Sequence, residues 1–409
     1  MVIISHPTGN ANVRAAVAGL ADADLLSGFY TAIASFPGST LDRLGGIKSL
    51  SEIRRRRFES RLQPFVKTWP WWELGRLLSA KAGLAGLTRN ETGIFSVDAV
   101  YHSIDRRLTS QLTGMAEKVN AVYAYEDGAM YTFREAKRLG LKCLYDLPIG
   151  YWRTSQRLLG LERERWPEWG NTMRGLTSSE TKLSRKEEEL KLADRIFVAS
   201  SFTGKTLKDY PGRLGPVEVI PYGFPAVNGS REYEKISGRP LRLLFVGGLS
   251  QRKGIADMFA AVDKLGDAVS LTVVGRKATE DCAPLNAALA KHKWIPSLPH
   301  AEILKTMRAH DVLLFPSLFE GFGLVITEAM SQGTPVITTD RTAGPDLITN
   351  GENGWLIEAG STESLYNTIT GLVHAPDQIA KAGLAAMEKA RSRPWEVYGK
   401  ELATAILKA

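Results

Sequence analysis

The chain holds 409 residues, 44% of them hydrophobic, which is enough for two or three domains with cores of their own. Its two cysteines, Cys143 and Cys282, lie far apart with no C-x-x-C spacing, which excludes a disulfide framework and a cysteine zinc site and fits a reducing, cytoplasmic setting. Of the formal charge of +8, the segment Asp42 to Lys81 carries ten Lys or Arg against four Asp or Glu, while the other 369 residues carry 42 against 40. This is a near-neutral protein with one basic segment, and without a nucleic-acid module no nucleic-acid partner is expected.

In chain order, strands are predicted at Val2–Ser5, Phe29–Ala34, Ala121–Tyr125, Lys142–Asp146, Arg195–Ala199 and Val217–Ile220. The first ten residues lack a basic n-region and a long apolar stretch, so no signal peptide is expected. The polar, Gly- and Pro-containing stretch Tyr222–Gly238 has no sustained apolar period and marks a linker, placed at 226–240. A second set of strands follows at Arg242–Val246, Ser270–Val274, Asp311–Phe315 and Thr334–Thr338, and Pro394–Lys408 reads as a final helix with Trp395, Tyr398, Leu402 and Ile406 on one face. No apolar run approaches the roughly 18 to 20 residues that span a bilayer. Strands alternating with amphipathic stretches predict an α/β protein of two doubly wound parallel sheets, 1–225 and 241–393, with a ligand cleft between their loop ends.

The most informative stretch is Asp311–Thr339, where a strand runs through E-G-F-G into a helix expected near Leu324. Gly321 and Gly323 allow a ligand to approach the backbone, and a helix N-terminus offers free N–H groups to a phosphate. Glu320 and, eight positions on, Glu328 can accept hydrogen bonds from separate hydroxyls of one ligand. Upstream, G-G-L-S-Q-R-K-G sets Arg252 and Lys253 at the mouth of another helix, a guanidinium beside an ammonium that suits a diphosphate.

With these motifs the sequence resembles the retaining nucleotide-sugar glycosyltransferases called group 1, or glycosyltransferase family 4. The likeness is densest from Leu241 to Leu356, where E-G-F-G-L-V-I-T-E matches the family's E-x7-E frame. The resemblance implies the GT-B fold: two Rossmann-like domains facing across a cleft, with the helix at 394–409 returning to the N-terminal, acceptor-side domain. It further implies that Glu320 contacts the donor sugar, that amides of Gly321, Phe322, Gly323 and Leu324 meet sugar and phosphates, and that Glu328 binds the ribose. Lys253 and Arg252 neutralise the diphosphate, and Pro296 to Leu298 flank the base. Gly9, in Pro7–Asn10, matches a glycine-rich loop near phosphates and acceptor.

Two positions depart from the family pattern. Gly248 stands where an arginine is frequent, leaving Arg252 as its replacement, and the strand that often ends in a histidine ends here in Asp146. Asp146 is therefore a candidate for orienting the reacting sugar or acceptor, with Glu126 and Asp127 as alternatives and helix capping as the plainer explanation of all three.

The expected reaction is retaining transfer of a sugar from a UDP- or GDP-linked donor to an acceptor hydroxyl, without a metal or other cofactor, in cell-envelope or exopolysaccharide synthesis. A non-catalytic sugar-nucleotide or glycan-binding protein is the alternative. A third reading, a P-loop NTPase, rests on Ala199–Thr206, where Ala199 stands in place of the first glycine. Arg54 to Arg57, followed by Trp69, Trp71 and Trp72, suits an anionic membrane at the inner face of the plasma membrane and a lipid-linked acceptor; equally, the tryptophans can cover the core.

Overall fold

The computed structural model describes residues 1–44, 56–173, 178–236 and 238–408. Arg54 and Arg55 of the arginine run lie outside the described residues. The first sheet contains β1 (Val2–Ser5), β2 (Leu26–Thr31), β3 (Val66–Thr68), β4 (Ala121–Tyr125), β5 (Lys142–Leu147), β6 (Arg195–Val198) and β7 (Val217–Val219), in the order β3-β2-β1-β4-β5-β6-β7. The second contains β8 (Leu241–Val246), β9 (Val269–Val274), β10 (Lys293–Ile295), β11 (Val312–Phe315), β12 (Val336–Thr339) and β13 (Gly354–Ile357), in the order β10-β9-β8-β11-β12-β13.

All pairings in both sheets are parallel, so each chain crossover carries a helix across a face and the central strands are buried on both sides. The burial follows from the sequence: β1, β4, β11 and β12 are continuous apolar or small-residue runs with every residue buried. Strand order reverses between β1 and β4, and again between β8 and β11. In doubly wound sheets the crevice at such a reversal, beyond the carboxyl ends of the strands, is where ligands bind. The loops carrying Gly9 and Glu126 leave the first reversal; those carrying Arg252, Lys253 and Glu320 leave the second.

Two tethers join the halves. The chain passes from β7 through Phe224 into the second sheet and returns at Pro394, and these crossings run side by side, with the Phe224 N–H donating to Arg393 O at 2.9 Å. The stretch expected as a linker is anchored: Arg231 is buried and donates to Thr334 Oγ1 at 2.5 Å and to His310 O at 2.6 Å.

The terminal helix, Trp395–Leu407, buries Tyr398, Leu402 and Ile406 against the N-terminal half, the face predicted. Each apolar side chain buried in this way contributes about 1.5–3 kcal/mol. The helix crosses the first one, Ala11–Asp22, at Gly19 and Gly399, where a Cβ on Gly19 would overlap the Gly399 carbonyl.

In the basic segment, Arg56 is buried and bonded to Glu73, itself 2% exposed and also held by Arg76 at 2.7 Å. Trp69 and Trp72 pack partly buried on the core, whereas Trp71 is 61% exposed. The arginine run is thus no uniform surface stripe.

Candidate active site at the facing loop ends

Beyond β8, Ser250 opens a single tight turn, Gln251–Lys253, and Gly254 follows with φ at 70°, a left-handed conformation that favours glycine. A Cβ on Gly254 would overlap Pro316 O, so glycine lets the β8 loop lie against the loop after β11. The loops are joined by Leu318 N–H donating to Arg252 O at 2.9 Å and Ser317 Oγ donating to the same oxygen at 3.2 Å.

This seam brings Arg252, Lys253 and Glu320 together. Lys253 Nζ donates to Glu320 Oε2, and Arg252 reaches the same oxygen at 3.3 Å while donating to Phe319 O at 2.7 Å. Burial opposes the Glu320 charge, but the two cations outweigh it and hold the carboxyl below its usual range. Burial lowers the Lys253 pKa against the pull of Glu320; its ammonium also lies 4.8 Å from the centre of the Phe315 ring. An ammonium with three donors and a guanidinium with five are not exhausted by one carboxylate, so the pair can also face an anion.

Gly321 and Gly323 frame the next step. Gly321 sits so close to Pro148 and Ile149 of the other half that a Cβ would overlap Pro148 O, and its carbonyl accepts from Ser200 Oγ at 2.5 Å and Thr203 Oγ1 at 2.9 Å. Gly323 has φ at 90°, and its Cβ would lie 2.7 Å from the Phe315 ring. Phe322 turns inward, its ring 4.8 Å from that of Tyr222. The helix Leu324–Ser331 starts at the predicted residue, with Leu324 exposed at its mouth. Among the described residues, the N–H groups of Gly321, Phe322 and Gly323 have no protein partner.

Glu328 is accompanied by His300 Nε2 at 3.0 Å. Pro296 is exposed and Leu298 half-buried just past β10, and Gly248 is exposed with open space where a Cβ would stand.

In the N-terminal half, Gly9 is buried beneath the Phe58 ring and its carbonyl accepts from Arg14. Asp146 is 3% exposed at the end of β5, accepts from Tyr123 OH at 2.5 Å, and is pushed by burial, against that bond, up to about 7. Glu126 is buried and paired with Lys186 at 3.0 Å; burial raises its pKa against that cation. Asp127 adopts φ at 69° and faces Lys182 and Lys186. The side chains of Asp146 and Glu126 thus find partners in their own half and do not touch Arg252, Lys253 or Glu320.

Sequence reasoning passed over two groups. His6, at the end of β1, is buried against Tyr101 and Tyr125, and burial lowers its pKa to about 4, so it is a neutral imidazole; no ligand-like spacing marks it. Ser200 and Thr203, the core of the P-loop-like run, instead form a strand-to-helix turn whose hydroxyls hold the Gly321 carbonyl. No group of His, Cys, Asp and Glu among the described residues could hold a metal.

Residues 229–389 match the family described as Glycosyl transferases group 1, and they hold the Arg252, Lys253 and Glu320 cluster. The C-terminal half belongs to the group 1 glycosyltransferases. A glycogen synthase of Mycobacterium tuberculosis is 24% identical over 281 residues, 66% of either sequence. A phosphatidyl-myo-inositol mannosyltransferase of Mycobacterium leprae is 30% identical over 166 residues, 39% of this chain and 44% of that protein. The chain thus aligns with about two thirds or less of these curated relatives. Over its whole length it superposes on the Anabaena protein Alr3699/HepE, crystallised with UDP-glucose, with a TM-score of 0.63 at 16% identity, covering 99% of that chain. The fold is GT-B, in two parallel sheets of seven and six strands.

Proposed function

We propose that the protein is a retaining glycosyltransferase that moves a sugar from a UDP- or GDP-linked donor to an acceptor hydroxyl on a cell-envelope or exopolysaccharide glycan. The carrying observation is the cluster of Arg252, Lys253 and Glu320 beside the unpartnered amides of Gly321, Phe322 and Gly323, at the reversal point of the second sheet. Support for a nucleotide-sugar donor comes from the family and from a GT-B neighbour crystallised with UDP-glucose; support for a lipid-linked acceptor comes from the similarity to a phosphatidyl-myo-inositol mannosyltransferase.

In this reading the bond from the anomeric carbon to the diphosphate breaks, and the diphosphate leaves with the electron pair. Lys253, Arg252 and the N-terminus of Leu324–Ser331 take up the charge that develops there. The acceptor oxygen forms its bond on the same face and gives its proton to a departing phosphate oxygen. Glu320 holds donor-sugar hydroxyls, Glu328 the ribose, and Pro296, Leu298 and Gly248 border the nucleotide. Asp146 and Glu126, buried in the N-terminal half, act as positioning residues, and Gly9 borders the acceptor side. The domains divide at 1–225, the linker 226–240 and 241–393, with 394–409 rejoining the first.

The acceptor side docks on an anionic membrane. Trp71, Leu74, Leu78, Leu84, Leu87, Ile94 and Val97 are all exposed. Over 62–97 the exposed charges are Lys67, Lys81 and Arg89, whereas Glu73 is buried under arginines. Exposed apolar side chains in a segment whose exposed charges are all cations suit anionic headgroups; a symmetric contact with a second copy would set like charges together.

Two assays test these readings. Glu320→Gln and Lys253→Ala should each lower transfer at least about 100-fold, the scale of losing one group that stabilises developing charge, and full rates in both would refute the site. Wild type should float with anionic liposomes at low salt and Leu78→Asp should not; wild type remaining in the soluble fraction would end the membrane proposal.

A further inference from the structure

Gly321 belongs to the C-terminal half, yet both lone pairs of its carbonyl are taken by hydroxyls of the N-terminal half, Ser200 Oγ at 2.5 Å and Thr203 Oγ1 at 2.9 Å. Both hydroxyls are fully buried. The turn that carries them is itself fixed: Ser200 Oγ accepts from Thr203 N–H at 3.1 Å, and the Thr203 carbonyl accepts from Thr206 Oγ1 at 2.6 Å. Thr206 Oγ1 in turn accepts from Tyr151 N–H at 2.8 Å, beside Gly150 and its contact with Phe319. The adjoining Ser201 N–H donates across the same boundary to Asp346 at 2.9 Å.

A trans peptide is planar, with its C=O and N–H on opposite sides. Drawing the Gly321 carbonyl towards Ser200 and Thr203 therefore turns the Phe322 N–H the other way, and that N–H has no protein partner among the described residues. Glycine at 321 would otherwise leave this peptide plane free to rotate.

We infer that Ser200 and Thr203 are positioning residues for the donor: from the opposite half they set the peptide between Gly321 and Phe322 so that its N–H faces the donor diphosphate, and the loop is complete only when the halves are together. The inference rests on the nucleotide-sugar reading above. It assigns the N-terminal half a share in donor affinity, felt by the diphosphate and the sugar and not by the nucleoside.

The test uses the full chain and thermal-shift titration with UDP, GDP and ADP, then calorimetry with whichever binds and with its monophosphate. If none of the three stabilises wild type, the nucleotide-sugar reading itself has failed. If one does, the Ser200→Ala, Thr203→Val double variant should bind that diphosphate about tenfold more weakly, the scale of one misdirected charge-assisted hydrogen bond, while monophosphate affinity stays within twofold of wild type. Thr203→Ser, which keeps the hydroxyl, should restore diphosphate affinity when Ser200 is intact. Unchanged diphosphate binding in the double variant overturns the inference. So does an equal loss for mono- and diphosphate, because a merely loosened interface would weaken both.

Discussion

Replacing Asp146 by asparagine keeps the shape of a carboxyl buried among tyrosines and removes its charge. The groups facing it are Tyr123, Tyr125, Tyr222 and Tyr398, all held above the usual phenol value by burial and therefore neutral through the physiological range. One phenol donor, Tyr123, is too little to replace the water an ionised carboxylate loses, so burial lifts the folded-state pKa from 3.8 to about 7. The folded state then holds a proton that the unfolded chain releases above about pH 4, and stability falls as pH rises until the folded carboxyl ionises near 7. Integrated over that window the charge costs about 4 kcal/mol, of which about 2–3 kcal/mol accrues between about pH 5 and 8. A neutral amide at this position carries no such penalty. In urea unfolding followed by tryptophan fluorescence, Asp146→Asn should gain on wild type by that amount as pH is raised from about 5 to 8. A constant difference across the range, or a variant that loses ground as pH rises, would refute the reasoning.

Three further substitutions probe the packing. Gly321→Ala puts a methyl group onto Pro148 O, a backbone atom that can yield only if the halves separate, so transfer should fall at least about tenfold in a donor-saturated rate assay. Gly19→Val wedges the first and terminal helices apart at Gly399, costing about 1–3 kcal/mol and lowering the calorimetric Tm. Arg165→Ala removes the bidentate partner of Asp257, leaving a carboxylate 3% exposed with Thr362 and Gln251 as remaining donors. Loss of stability near the lower end of the roughly 3–5 kcal/mol for a broken buried pair should appear in the urea midpoint.

Fold class was legible because central parallel strands write themselves as near-continuous apolar runs; β1, β4 and β11 match the predicted segments to within a residue. β3, β10 and β13 went unpredicted, and all three are sheet edges of three or four residues, too short to give a run or an alternation. The E-G-F-G turn and the R-K-G turn were legible as separate motifs. Their meeting at Glu320 could be expected only by resemblance, because the seam depends on Gly254 admitting Pro316 O. Ser200 and Thr203 were read as a defective P-loop because spacing reports local geometry, whereas their partner lies about 120 residues away in the other half of the chain. The arginine run read as one surface, but Arg56 is buried against Glu73, and exposed apolar side chains lie further along the chain.

The side-by-side crossing of Phe224 and Pro394 has a mechanical consequence. A domain hung on one strand can swing, twist and translate, whereas one held by two adjacent strands keeps chiefly the rotation about the line through both pins. Here the two pins are joined by the bond from Phe224 N–H to Arg393 O and sit beside the clustered rings of Tyr222, Trp395 and Tyr398. Any rearrangement of the halves is thereby restricted near these pins, and the bonds of Arg165 to Asp257 and of Gln251 N–H to Thr172 Oγ1 hold the second sheet to the first half at a further point.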